Sequence, residues 1–143
     1  MRAYGGGRGV TNLPTAVRGP SLYGIAARPL YLLEVGVFNT TTTAFAAALN
    51  RATALGTVAG TVTESSEDPE VTPVGIVSLS HSADATVGGA ITQASIGAAI
   101  GAGVIWTFGG KGIRCPAGTA NGFVITCPTG TAQFFDFYFV WDE

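Results

Sequence analysis

The side chains with the most reactive chemistry in this 143-residue chain fall at a few places. Ser80, His81, Ser82 and Asp84 are the residue types of a hydrolase triad. They sit within one short segment, whereas a triad is assembled from separate elements, and no Gly-x-Ser-x-Gly elbow occurs. Glu64-Ser65-Ser66-Glu67-Asp68-Pro69-Glu70 concentrates carboxylates of the kind that bind Ca²⁺. It lacks the EF-hand pattern and reads as a solvated loop. Cys115 and Cys127 have no zinc-ligand spacing, and the single histidine, His81, cannot complete a site. They flank a turn, which leaves a disulfide or two free, half-buried thiols, and free thiols are the expectation. Asp136 and Asp142 share one strand face about 20 Å apart, too far for a glycosidase pair. Gly5-Gly6-Gly7-Arg8-Gly9 precedes neither a strand nor a Lys-Ser/Thr pair, so it is no phosphate loop. The expectation is a protein without catalytic residues, metal or cofactor.

The elements that carry these residues read as strands. Phe134 to Trp141 alternates with period two. Phe135, Phe137, Phe139 and Trp141 form one face, and Phe134, Asp136, Tyr138 and Val140 the other. Burying four such aromatics is worth on the order of 10 kcal/mol, comparable to the net stability of a small domain. The final strand is therefore expected to be central, with Trp106 also in the core. Leu30–Phe38, Leu55–Val62, Val74–Leu79, Gly103–Phe108 and Phe123–Cys127 read as further strands. Phe45–Ala54 and Ala90–Ile100 leave strand and helix open. Asn121-Gly122 is a hairpin signal. Short strands at this spacing predict an all-β fold, an antiparallel β-sandwich or jelly roll.

Only 11% of residues are charged, against about 25% in an average domain. So neutral a surface is often covered by partners. The net charge of −2 is unevenly spread. Arg2, Arg8, Arg18 and Arg28 precede the first acid, Glu34, whereas three bases face nine acids afterwards. Residues 1–28 are Gly-rich, hold Pro14 and Pro20 and show no steady apolar period, which predicts an extended arm before a knob over 29–143. Fixing such an arm costs on the order of 30–50 kcal/mol of backbone entropy, so an ordered arm needs a large contact. The arginines are scattered and the body is acidic, which argues against nucleic acid. Residues 1–9 lack the apolar core of a signal peptide, and the Asn39-Thr40-Thr41 triplet is discounted with it. The uncharged run from Ala85 to Gly110 holds too few large apolar residues for a membrane helix.

Three segments carry a resemblance. They are Gly103-Val104-Ile105-Trp106-Thr107-Phe108, Ile113 to Gly122, and Phe137-Tyr138-Phe139-Val140-Trp141-Asp142-Glu143, with Glu34 to Thr41 similar as well. Together they resemble small virion-associated proteins of tailed bacteriophages, over about residues 30–143. With the arm, the plan is similar to head decoration (cement) proteins. That resemblance implies a structural role on the outer capsid surface, after assembly in the host cytoplasm. It implies the major capsid protein and self, as a homotrimer, as partners. On this reading Arg2, Arg8, Arg18 and Arg28 pair with acidic capsid residues, and Tyr4, Leu22, Tyr23 and Ile25 fill capsid pockets. The rival expectation is a host-surface or glycan-binding knob of a phage tail or fibre, for which exposed Tyr or Trp on a flat face would speak.

Overall fold

The computed structural model describes residues 1–10, 16–25 and 27–143. Twelve strands follow one another: β1 (Arg2–Val10), β2 (Ser21–Tyr23), β3 (Leu30–Asn39), β4 (Phe45–Ala54), β5 (Val58–Thr61), β6 (Ser65–Ser66), β7 (Ile76–His81), β8 (Thr86–Ile96), β9 (Gly103–Thr107), β10 (Ile113–Cys115), β11 (Gly122–Thr129) and β12 (Phe134–Asp142). They form two six-stranded sheets. In the first the order is β10-β3-β12-β1-β6, with β9 also pairing β3; in the second it is β5-β7-β2-β11-β4-β8. Every pairing is antiparallel. The inner faces share one core, so the fold is an all-β sandwich.

β12 is central, as its pattern predicts, between β1 and β3. Phe135, Phe139 and Trp141 are fully buried and Phe137 nearly so. They meet Phe45, Leu49, Phe123 and Ile125 of the other sheet. Trp106 packs against the same core but stays partly exposed. The two ambiguous segments are strands, since the β4–β8 pairing buries the Ala-rich face of β4. The Asn121-Gly122 signal marks a turn but no hairpin. β10 pairs β3 in one sheet, and β11 pairs β2 and β4 in the other, so the chain crosses between layers there. Pro128 sits where the β11–β4 register slips, one of the places a strand tolerates a missing N–H.

The expected N-terminal arm is corrected by the structure, as is the division at residue 28. Arg2 to Val10 pairs residue for residue with Asp142 to Phe134. Ser21–Tyr23 lies inside the second sheet, between β7 and β11. Leu22 and Ala3 are completely buried in the common core. Residues 11–15 and 26 of the expected arm lie outside the described residues. The apolar period was invisible because the inward positions of β1 are small. Ala3, Gly5, Gly7 and Gly9 stand opposite Trp141, Phe139, Phe137 and Phe135. A Cβ on Gly5 would lie 2.6 Å from Val77 Cγ2, and one on Gly9 would lie 2.9 Å from Phe135 Cζ. The space that side chains would take on β1 is filled by the aromatics of β12 and by the facing sheet.

Removing residues 1–10 strips β12 of one ladder and uncovers its aromatics, so the truncated chain is expected to lose cooperative thermal unfolding by circular dichroism. A truncated chain that melts like the intact one would refute this account of β1.

Candidate functional site

The sequence places for chemistry resolve into structural bonds. His81 ends β7 and is buried with Ser21 of β2. His81 Nε2 lies 2.8 Å from Ser21 Oγ, and Nδ1 lies 3.3 Å from the Gly56 carbonyl. The Nδ1–H therefore donates to Gly56, which leaves Nε2 to accept from the Ser21 hydroxyl. Asp84 is engaged by Arg18 Nε at 2.6 Å, and Ser82 Oγ donates to the Thr57 carbonyl. The serine that meets the histidine is thus Ser21, 60 residues earlier in the chain. Sequence proximity gave no signal for that pairing, which only the β2–β7 ladder creates. A Ser–His couple this deep has no room for a substrate; it pins two strands together. Burial pushes the His81 imidazole below its ordinary value, partly offset by the Gly56 bond.

In the acidic loop, Glu64 accepts from the Val77 N–H at 2.7 Å, and Ser66 Oγ donates to the Val71 carbonyl at 2.7 Å. Among the described residues no group of three or more His, Cys, Asp or Glu side chains is placed to hold a metal ion. Cys115 and Cys127 are free and buried, one in each sheet. Burial pushes both thiols up, Cys127 to about 12, so neither is a ready nucleophile. Asp136 lies on the outer face of β12, bound bidentately by Arg8. Glu143, beyond β12, has a fully buried side chain that sequence reading missed. It accepts from the N–H groups of Val74 and Gly75 and from Trp141 Nε1, at 2.7, 2.9 and 3.0 Å.

The arginines expected to reach a capsid are largely spent within the chain. Arg8 pairs with Asp136, Arg18 with Asp84, and Arg28 lies 4.0 Å from Glu143. Leu22 fills this chain's own core, and Tyr23 and Ile25 are partly buried. Burial and the Glu64 charge push the Tyr23 phenol up. Of the eight residues expected to form that contact, Arg2 and Tyr4 remain open on the outer face of the first sheet.

That outer face carries Tyr4, Tyr31, Phe38, Phe134 and Tyr138. Tyr138 lies flat over Gly36, stacks on Phe38 with ring centroids 6.2 Å apart, and donates its hydroxyl to Glu34 at 2.6 Å. Burial and the Glu34 carboxylate push its phenol up to about 12. Tyr4 and Val140 form a ridge between two open grooves of about 450 and 330 Å³. Arg2, Leu33, Glu34 and Thr107 line the larger.

A second surface has a different character. Residues 85–110 contain no Lys, Arg, Asp or Glu. They form β8, the turn after it and β9, which run along one open flank of the sandwich. β8 pairs only with β4, and β9 only with β3. Ile91, Ile100 and Ile105 are 36%, 73% and 52% exposed there. The signal for this surface was the uncharged run itself, examined for a membrane helix. No helix among the described residues is long and apolar enough to cross a membrane.

The buried His81 gives a pH dependence with a definite sign. Its folded-state pKa lies below the ordinary 6.5, so the fold prefers the neutral ring. Stability is full above that value and falls as pH drops through it, because the unfolded chain takes up the proton first. The Tm of the wild-type protein is expected to drop a few degrees further than that of His81→Gln between about pH 7.5 and about pH 5. Parallel pH profiles would show that the imidazole is not held neutral. In comparisons with known proteins, the chain matches no family model, no curated protein and no solved structure.

Proposed function

We propose that the protein is a structural virion protein of the head-decoration type, which binds the outer surface of a phage capsid and stabilises it as a closed oligomer, a homotrimer. The sequence resemblance supplies the virion setting. The observation that carries the docking role is the flank over residues 85–110: exposed isoleucines on unpaired strands, without one charged side chain. A charge-free surface loses little hydration on contact, whereas burying unpaired charge is costly. An exposed isoleucine covered by a partner contributes about 1.5–3 kcal/mol. Several weak copies of such a contact, tied in one oligomer, add to firm attachment on a repeating lattice. The major capsid protein is the partner in this reading, with the sandwich flank in the place first given to an arm.

The test is to mix the purified protein with undecorated heads and measure bound copies. Ile100→Glu with Ile105→Lys is expected to fold normally and to bind at least about tenfold more weakly, since each change removes about 1.5–3 kcal/mol of contact. Wild-type protein that ignores heads would end the reading.

A second reading, attachment to host-surface glycans, is favoured by Tyr4, which is 40% exposed on the ridge between the two grooves. On that reading Tyr4→Ala abolishes binding to host cells and leaves head binding unchanged. Wild-type protein that binds neither cells nor purified cell-wall glycan removes it.

A further inference from the structure

The four sheet edges of this sandwich are not treated alike. An edge strand exposes unpaired N–H and C=O groups, and soluble proteins blunt it with shortness, charge, proline or bulges. β6 has two residues and sits within the acidic loop. β5 has four, and its register with β7 slips twice. On the edge shared by β9 and β10, neither strand exceeds five residues, and β10 carries Arg114. β8 breaks the pattern. It has eleven residues, Thr86-Val-Gly-Gly-Ala-Ile-Thr-Gln-Ala-Ser-Ile96, with no charge and no proline. Its first half pairs irregularly with β4, but Thr92 to Ile96 runs in unbroken register against Leu49 to Phe45. That half presents a straight, open main-chain ladder on its free side.

The geometry points to a second copy of this chain as the occupant of the β8 edge, joined by main-chain strand pairing. The argument for a copy is charge. Each chain carries −2 overall, and its charged side chains all lie outside residues 85–110. Two copies that meet through other faces bring acids toward acids, whereas β8 against β8 places Thr, Gln, Ser and Ile opposite one another. Like charges directly across a ladder are destabilising, and neutral polar or β-branched pairs are favourable. A self-complementary edge of this kind suits a symmetric contact.

Gly88 and Gly89 supply an independent observation. A Cβ on either would meet nothing within 4 Å, and neither has a positive φ. Nothing inside the chain requires glycine there, although glycine in a strand costs about 0.5–1 kcal/mol relative to alanine. Glycine in a strand marks close approach of another backbone. This inference rests on the assembly reading above and names the partner for one part of the same flank.

The experiment is the solution mass of the full chain, beside two variants. Gly88→Val with Gly89→Val adds side chains that point into open space, and valine suits a strand, so the variant should melt at or above the wild-type temperature. Thr92→Lys places a charge on the regular half of the edge. Wild-type protein is expected to run as an oligomer at about 100 µM, and both variants to self-associate at least about tenfold more weakly. A mass of two chains keeps the pairing and removes the threefold arrangement; a mass of three keeps both. Wild-type protein at the single-chain mass, or variants that retain the oligomer, overturn the inference. The head-binding result reads separately: a single-chain protein that binds heads removes only the β8 contact, and an oligomer that ignores heads removes only the capsid role.

Discussion

The structure depends on a fit between large and small side chains across one pair of strands. On the inner face of the first sheet, each aromatic of β12 stands opposite a glycine or alanine of β1. On its other side β12 meets Leu32, Val35 and Val37 of β3. A row of four aromatics needs depth as well as area, and the missing side chains of β1 provide it. The facing sheet fills what remains: Phe45 lies 5.5 Å from Phe135, ring centre to ring centre, and Val77 reaches toward Gly5. Glycine normally weakens a strand. Here the loss is offset by nine paired positions along β12 and by the aromatic surface those glycines admit.

The same core determines what its polar groups do. Ser21 and His81 satisfy one another beneath the second sheet. The Glu143 carboxylate is occupied by two main-chain N–H groups and the Trp141 indole. Asn39 bonds the carbonyls of Thr43 and Gly97 and accepts from Thr41. Among the described residues no buried side-chain polar atom is left without a partner. Residue types associated with catalysis are thereby committed to joining strands, because an unpaired buried polar group costs more than a paired one returns. Reactive chemistry needs a group that is both accessible and unspent.

Charge divides the surface in a way that matters for assembly. Arg8, Arg18 and Arg28 return to acids far along the chain, so the basic N-terminal segment and the acidic remainder neutralise each other within one fold. These exposed pairs add little stability individually. Their larger consequence is that they leave few free charges for a partner to meet. The flank of β8 and β9 is neutral for a different reason, since its sequence holds no ionisable group from residue 85 to 110.

The all-β class, the central place of β12 and the inward face of Phe135, Phe137, Phe139 and Trp141 were legible in the residues, because period two is a local property of a half-buried strand. The uncharged run was equally legible, though its meaning was not. A run reads as edge, core or span only after pairing is known, and β8 became an edge because nothing but β4 lies beside it. The place of residues 2–10 was decided by tertiary structure alone. Gly5, Gly7 and Gly9 give no apolar signal, and their partners lie about 130 positions away across the ladder. The meeting of Ser21 with His81, the burial of Glu143 and the destinations of Arg8 and Arg18 follow from the same fact. Local pattern sets which face of a strand is buried, whereas which strands become neighbours depends on the complementarity of shapes far apart in the chain.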